Sequence, residues 1–208
     1  MNVSLPKLNL VRALTRARYP ILSVALVYAA SVAVGIIMVG EGSSFALEYR
    51  DRVVGTAMKH DQAAIASKEG AGLKATFFDF AGNLVIGSVP KTLMGLGIIF
   101  PYPLVAFQGW VGGIVSVRGD HSSRINNIHS AIYYLMTLFL QIVAYSIAVG
   151  GGVNAGVALL RPSPAYRGEK WLRIFPGEAI RDMGRLYLVA TPIFFIASLW
   201  EFMGPWNV

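Results

Sequence analysis

The chain has 208 residues, of which 55% are hydrophobic and only 14% are charged, and its formal net charge is +7. A soluble domain of average composition has about 25% charged residues. This composition therefore excludes an ordinary soluble fold and favours a protein embedded in lipid. The absence of cysteine excludes disulfides, thiolate catalysis and cysteine metal sites.

The first long apolar run is residues 20–40, which contains no charged residue. A bilayer core about 30 Å thick needs a helix of about 20 apolar residues, so this run predicts a transmembrane helix. It is longer than the apolar core of a secretory signal peptide, which has about 7–15 residues. We therefore expect an uncleaved anchor.

Residues 75–117 form an apolar region long enough for two helices. Proline interrupts it at Pro90 and again at Pro101 and Pro103, so the sequence leaves open which site separates the two helices. Residues 128–150 and 186–204 predict two further crossings. The predicted fold is an all-α, polytopic membrane helix bundle, a single membrane domain over residues 1–208 with about five transmembrane helices and interfacial amphipathic helices.

Basic residues in the short segments predict the orientation of the bundle, because such residues are retained on the cytoplasmic side. Four precede the first crossing, and six separate the fourth crossing from the fifth. The six are Arg161, Arg167, Lys170, Arg173, Arg181 and Arg185. Residues 41–74 hold five basic and five acidic residues, a balance that suits the external face. We expect a prokaryotic cytoplasmic (inner) membrane protein with a cytoplasmic N-terminus and an external C-terminus.

Three segments lie between or before the predicted crossings. Residues 1–19 read as a cytoplasmic amphipathic segment, residues 41–74 as an external amphipathic helix ending near Gly70, and residues 151–185 as a basic cytoplasmic segment. The net positive charge favours anionic lipids as partners of the basic segments over nucleic acid.

Polar side chains within the apolar runs are the candidate functional residues, because burying them costs free energy unless they are paired. Asp79 and Asn83 are four residues apart and share one helix face. Lys91 would lie about 18 Å further along the same helix, and Gln141 and Glu201 belong to later runs. Two interpretations stay open for these residues: hydrogen bonds between helices, or a transport path. His129 is a further candidate, as a ligand of a haem or chlorophyll metal.

Glycine is abundant, with 22 residues, and small residues let helix backbones approach closely in lipid. The glycine-rich faces predict tight helix packing or an interface with a partner. The candidate residues of this class, with two polar neighbours, are Asn83, Gly95, Gly97, Gln108, Gly109, Gly112, Gly152 and Gly156. No phosphate-binding loop and no catalytic set is evident, so we expect a non-enzymatic protein without a cofactor.

Several of these residues occur in a characteristic order: Phe78 with Asn83, then Gly95 with Gly97, then Gln108-Gly109 with Gly112. In this order the chain resembles the stage II sporulation protein M family over about residues 20–204. Gly151 and Gly156 match the family's glycine-rich fourth helix, and Glu201 matches its terminal helix. The family's Pro-His-Gly-x-x-Glu motif is reduced here to His129.

The resemblance implies a five-helix membrane protein that works inside a larger assembly. The leading functional hypothesis is therefore a non-enzymatic subunit or scaffold that packs with other integral membrane proteins, and homo-oligomerisation is left open. The alternatives are a transporter or permease component, and an accessory subunit of a respiratory or photosynthetic complex.

Overall fold

The computed structural model describes residues 9–161, 164–168 and 170–203. Its elements, in chain order, are helices α1 (Leu10–Gly40), α2 (Ser44–His60), α3 (Gln62–Lys68) and α4 (Gly72–Ala81), a π-helical segment (Gly82–Ser88), helices α5 (Val89–Gly95) and α6 (Pro101–Ile114), a 3₁₀ turn (Arg124–Asn126), helix α7 (Ile128–Leu160), a second 3₁₀ turn (Pro164–Tyr166), strands β1 (Lys170–Trp171) and β2 (Phe175–Pro176), and helix α8 (Gly177–Met203).

Three helices, α1, α7 and α8, are long and apolar enough to cross a membrane. The predicted all-helical membrane fold is thus confirmed, while helix length does not confirm the predicted count of five crossings. Helix α6 has only 14 residues. Helix α4, the π-helical segment and α5 follow one another without a gap from Gly72 to Gly95.

Helices α7 and α8 are longer than the sequence predicts. Helix α7 continues to Leu160 instead of ending at Gly150, and α8 begins at Gly177 instead of at residue 186. Most of the predicted basic segment 151–185 is therefore helical, and the connection is reduced to residues 161–176. This connection includes the antiparallel hairpin of β1 and β2. The predicted end of the last crossing, Gly204, lies outside the described residues.

The N-terminal part of the chain also differs from the prediction. Helix α1 begins at Leu10 and continues through Pro20 to Gly40, so residues 10–19 are part of the long helix and form no separate surface helix. Residues 1–8 of the predicted amphipathic segment lie outside the described residues.

The predicted helical character of residues 41–74 is confirmed, but the helix is broken in two. Asp61 has an extended backbone after α2, and its side chain accepts hydrogen bonds from the amides of Ala63 (2.8 Å) and Ala64 (3.0 Å) at the start of α3. An acidic N-cap of this kind stabilises a new helix start. Gly70, with a φ of +74°, then turns the chain towards α4.

The break within residues 75–117 is at the second proline site. Pro90 lies in the first turn of α5, where a missing amide proton is best tolerated. The helix ends at Gly95, and residues 96–100 turn the chain before Pro101 starts α6. Ile98 in this turn has a φ of +64°, which is strained for a β-branched residue.

Helix α7 occupies the centre of the bundle, and three successive glycines place it there. A Cβ atom on Gly150 would lie 2.7 Å from Ile21 Cα of α1, and one on Gly151 would lie 3.0 Å from Leu186 Cδ1 of α8. A Cβ on Gly152 would overlap the Thr92 carbonyl oxygen of α5. Successive helical residues point about 100° apart, so one glycine turn meets three different helices.

Helices α1 and α6 also approach backbone to backbone. A Cβ on Gly35 would lie 2.5 Å from the carbonyl oxygen of Trp110, and one on Gly109 would lie 2.6 Å from that of Tyr28. Ser23 and Tyr102 share a hydroxyl hydrogen bond of 2.6 Å near the other end of the pair. Helix α6 is thus held against α1 along its length.

Replacing Gly152 by alanine should destabilise the bundle, because the new methyl group meets the Thr92 carbonyl and one of the helices must move. Overpacking of this kind typically costs about 1–3 kcal/mol. Gly184→Ala in α8 is the matched control, since a Cβ there has no atom within 4 Å. We expect a lower thermal midpoint in detergent for Gly152→Ala only. Equal midpoints for the two variants would contradict the packing at Gly152.

Candidate functional site

Polar side chains cluster at three levels along the bundle. The first, here called the ion network, lies where α8 begins and includes Arg16, Glu178, Asp182 and Arg185. The second surrounds the π-helical segment. The third lies where α8 ends, beneath α3, and borders a cavity.

The ion network is centred on Asp182, whose side chain is fully buried. Arg16 of α1 donates from Nε and Nη2 to the two carboxylate oxygens of Asp182, each at 2.6 Å. Arg185 donates to Asp182 Oδ1 at 2.7 Å and to Glu178 Oε1 at 2.5 Å. A bidentate arginine pair of this kind is among the stronger hydrogen-bonded contacts in proteins.

Two neutral residues complete the ion network. Tyr166, from the connection between α7 and α8, donates to Asp182 Oδ2 at 3.3 Å, and Asn154 of α7 donates to the Tyr166 hydroxyl at 2.7 Å. Burial raises the pKa of Tyr166 above its ordinary value, so the phenol stays protonated and available as a donor. The network therefore joins α1, α7 and α8.

Around the π-helical segment, wide turns leave backbone carbonyls available to side chains. Lys91 Nζ donates to the Gly87 carbonyl at 2.7 Å and lies 5.1 Å from the ring centre of Tyr145. The Tyr145 hydroxyl donates to Asn83 Oδ1 at 2.8 Å. Tyr187 of α8 shares hydrogen bonds with Ser88 and Thr92, at 2.9 and 2.8 Å. Segments of π-helix occur frequently at functional sites.

The predicted acidic residues Asp79 and Glu201 lie at the end of the bundle covered by α3. Ser198 of α8 donates to Asp79 Oδ2 at 2.6 Å, an interhelical contact of the kind that the sequence favours. Gln141 Nε2 lies 3.5 Å from Glu201 Oε2. Both carboxylates border the same cavity of about 380 Å³ beneath α3.

A second cavity, of about 310 Å³, lies beside the first and shares Glu201 with it. Gln141, Tyr133 and Tyr134 of α7 also line this second cavity, and so does Arg124 of the connection between α6 and α7. The sequence gave no reason to single out Arg124, because it lies in a polar connection and its cavity is formed only by distant segments. Burial lowers the pKa of Arg124, yet an arginine stays charged in a protein.

The predicted glycine residues lie mainly between helices of this chain. Gly95 of α5 and Gly152 and Gly156 of α7 form one contact, in which a Cβ on Gly95 would lie 2.7 Å from the Val153 amide nitrogen and one on Gly156 would lie 2.6 Å from the Leu96 carbonyl oxygen. Gly109 faces α1, as described above. These four glycines are therefore used in internal packing and are not exposed for a partner.

The remaining predicted residues have other surroundings. A Cβ on Gly112 would lie 3.1 Å from Leu138 Cδ2, and Gly97 is exposed in the turn beside Phe100. Gln108 and Lys91 line one groove of about 380 Å³ between α5 and α6. His129 is exposed in the first turn of α7, away from the buried residues of the bundle.

No family model, curated protein or solved structure matches the chain. The resemblance to the stage II sporulation protein M family stays a prediction. In the described part of the chain, no group of three or more histidine or acidic side chains is arranged to hold a metal ion.

Replacing Asp182 by asparagine should destabilise the protein strongly, because it leaves the charge of Arg16 partly buried without its bidentate partner. Breaking a buried ion pair typically costs about 3–5 kcal/mol. Arg181→Gln is the control, since its 3.6 Å contact with Glu178 is largely exposed and such surface pairs contribute about 0–1 kcal/mol. Unfolding in denaturant should separate the two variants, and an unchanged midpoint for Asp182→Asn would refute this account of the network.

Proposed function

We propose that the chain is a non-enzymatic, multi-pass subunit of the prokaryotic cytoplasmic membrane that assembles with other integral membrane proteins. The resemblance to the stage II sporulation protein M family implies such a role. The observation that supports it most directly is helix α2. This helix has 17 residues, and only Ala46 and Arg50 are buried.

Helix α2 presents a surface suited to a protein partner. An open groove of about 540 Å³ runs along it, lined by Tyr49, Arg52, Val53, Thr56, Ala57, His60 and Asp61. Aromatic residues and arginine are enriched at the centres of protein interfaces. The groove also contains both signs of charge, which suits a protein surface better than an anionic lipid surface. The proposed occupant is an extramembrane segment of another membrane protein.

The glycine faces do not support a partner role, because the closest of them are filled by helices of the same chain. The residues on which a transport path would depend are also engaged within the bundle. Asp79 accepts from Ser198, and Lys91 donates to the Gly87 carbonyl. These contacts favour a packed subunit over a transporter.

The proposal retains five crossings, with a cytoplasmic N-terminus. The run from α4 to α5 extends along nearly the whole of α8, since a Cβ on Gly72 would lie 3.1 Å from the Phe202 carbonyl oxygen and Leu96 packs in one cluster with Ala179. Because α8 is long enough to cross, a helix parallel to it covers a similar depth. Helix α6, about 21 Å long, then returns along α1.

Anionic lipids are the proposed second partner, at the hairpin of β1 and β2. Trp171, Leu172 and Ile174 are 46%, 67% and 53% exposed, and basic residues flank them in the sequence. Leu172 and Arg173 have φ values of +50° and +61°, an uncommon backbone for such residues. Apolar tips with nearby cations suit the headgroup region of an anionic bilayer. This contact requires the hairpin to be cytoplasmic.

Single cysteines should report this topology without background, because the chain has none. With five crossings, a membrane-impermeant maleimide added to intact cells should label Thr56→Cys and leave Ile99→Cys and Ala165→Cys unlabelled until the cells are opened. Ile99, in the turn between α5 and α6, is 72% exposed. Failure to label Ile99→Cys in opened cells would contradict five crossings. Labelling of Ala165→Cys from outside would contradict both the orientation and the proposed lipid contact.

Partner binding is tested by placing arginine on α2. Gly55→Arg should reduce the recovery of co-purifying membrane proteins at least threefold, because the long side chain blocks the exposed face. Gly119→Arg, in the connection between α6 and α7, is the matched control. At both glycines a new Cβ has no atom within 4 Å, so neither variant should perturb the fold.

The readout is quantitative mass spectrometry of the tagged chain purified in mild detergent. A specific loss with Gly55→Arg would support the α2 surface. The same partners, in the same amounts, for wild type and both variants would contradict it.

A further inference from the structure

The cavity of about 310 Å³ at the end of α8 contains charged groups of opposite sign. Arg124 comes from the connection between α6 and α7, and Glu201 comes from α8. Ser67 of α3 also lines the cavity, so α3 covers part of it. Small-molecule sites typically have volumes of about 300–1,000 Å³, and this cavity lies at the lower end of that range.

Arg124 is fixed at the cavity by its backbone, while its side chain has no partner in the described residues. Its amide donates to the Ser116 carbonyl at 2.8 Å, and the preceding Ser123 hydroxyl accepts from the amide of Ile125. The Nε atom is buried without a hydrogen bond. The nearby charges recorded for Arg124 include two cations, Arg50 and Arg118.

An unpaired guanidinium in such a place is costly, because a buried charge needs a counter-charge and hydrogen bonds. Arg16 shows the contrast within the same protein, since its guanidinium is bound to Asp182 at two positions. A planar guanidinium fits a carboxylate or phosphate through two parallel hydrogen bonds. Arg124 therefore suits an anionic group of a ligand.

The other polar residues of the cavity suit a cation. Glu201 supplies a carboxylate, and Asp79 borders the adjoining cavity that Glu201 also lines. The rings of Tyr133 and Tyr134 lie in the same wall, and aromatic faces attract ammonium groups. Their hydroxyls are used elsewhere, in bonds to the carbonyls of Glu201 and Gly112, at 2.6 and 2.7 Å.

We propose that this cavity binds a small zwitterionic group, with its oxyacid on Arg124 and its ammonium beside Glu201 and the two tyrosine rings. Two sources have this chemistry: a free phosphorylated or carboxylated amine, and the headgroup of phosphatidylethanolamine. The proposal does not depend on partner binding at α2, because Arg124 and Glu201 belong to other elements.

The first experiment measures the thermal midpoint of the purified full chain in detergent with phosphoethanolamine, inorganic phosphate or ethanolamine. A ligand that binds the folded state raises the midpoint in proportion to the logarithm of its concentration over its Kd. Phosphoethanolamine should bind at least tenfold more tightly than either of its halves. An equal shift with phosphate alone would overturn the zwitterion site.

Variants locate the site. Arg124→Gln and Glu201→Gln should each weaken phosphoethanolamine binding at least tenfold, and Arg124→Lys should show an intermediate loss because it retains charge without the planar fork. Arg118→Gln is the matched control, since Arg118 lies in the same connection but donates to exposed Ser130. If Arg124→Gln fails to fold, Arg124→Lys gives the test. Wild-type affinity in both Arg124→Lys and Glu201→Gln would overturn the proposal.

The second experiment distinguishes the sources, by phospholipid analysis of the wild type and Arg124→Lys purified in mild detergent. About one phosphatidylethanolamine retained per wild-type chain, and less with Arg124→Lys, would identify the lipid headgroup. Phosphoethanolamine binding that depends on Arg124, without retained lipid, would identify a free zwitterion. Neither retained lipid nor binding would refute the site.

Discussion

The close contact of α7 with its neighbours at Gly150, Gly151 and Gly152 is the constraint on which the bundle depends. In lipid, helices gain little from hydrophobicity when they associate, so packing distance decides their arrangement. Each of the three glycines admits a different helix, namely α1, α8 and α5. The remaining helices are arranged around this turn: α6 packs on α1, and α4 continues α5 along α8.

The polar residues follow from the same arrangement. Close helix approach lets short side chains bridge neighbouring helices, as Ser198 does with Asp79 and Tyr187 does with Ser88. At the start of α8, where charge is buried, an arginine of α1 satisfies Asp182. At the opposite end the helices leave cavities, and there Arg124 lacks such a partner in the described residues. The two ends thus differ in kind: one is closed by ion pairs, and the other is open to a ligand.

The sequence predicts the long apolar helices well, because length and hydropathy are local properties. It also predicts the helical character of residues 41–74 and one of the two proline breaks. The ends of α7 and α8 were wrong, because Gly150–Gly152 resembles a helix boundary in a single sequence and becomes a packing surface only when other helices are present. The pairing of Arg16 with Asp182, 166 residues away, and the cavity at Arg124 depend on tertiary structure and have no local signal.

The π-helical segment Gly82–Ser88 bears on how this chain tolerates change in length. A π turn contains one residue more than the α turn it replaces, so it acts as an insertion absorbed within a helix. Deleting one residue there would restore an α-helix and rotate everything after it by about 100°. Gly95 would then turn away from α7, and Ser88 and Thr92 would turn away from Tyr187. The register of this helix is therefore set by residue count as well as by residue type, and substitutions at exposed Val85 should be tolerated where its removal is not.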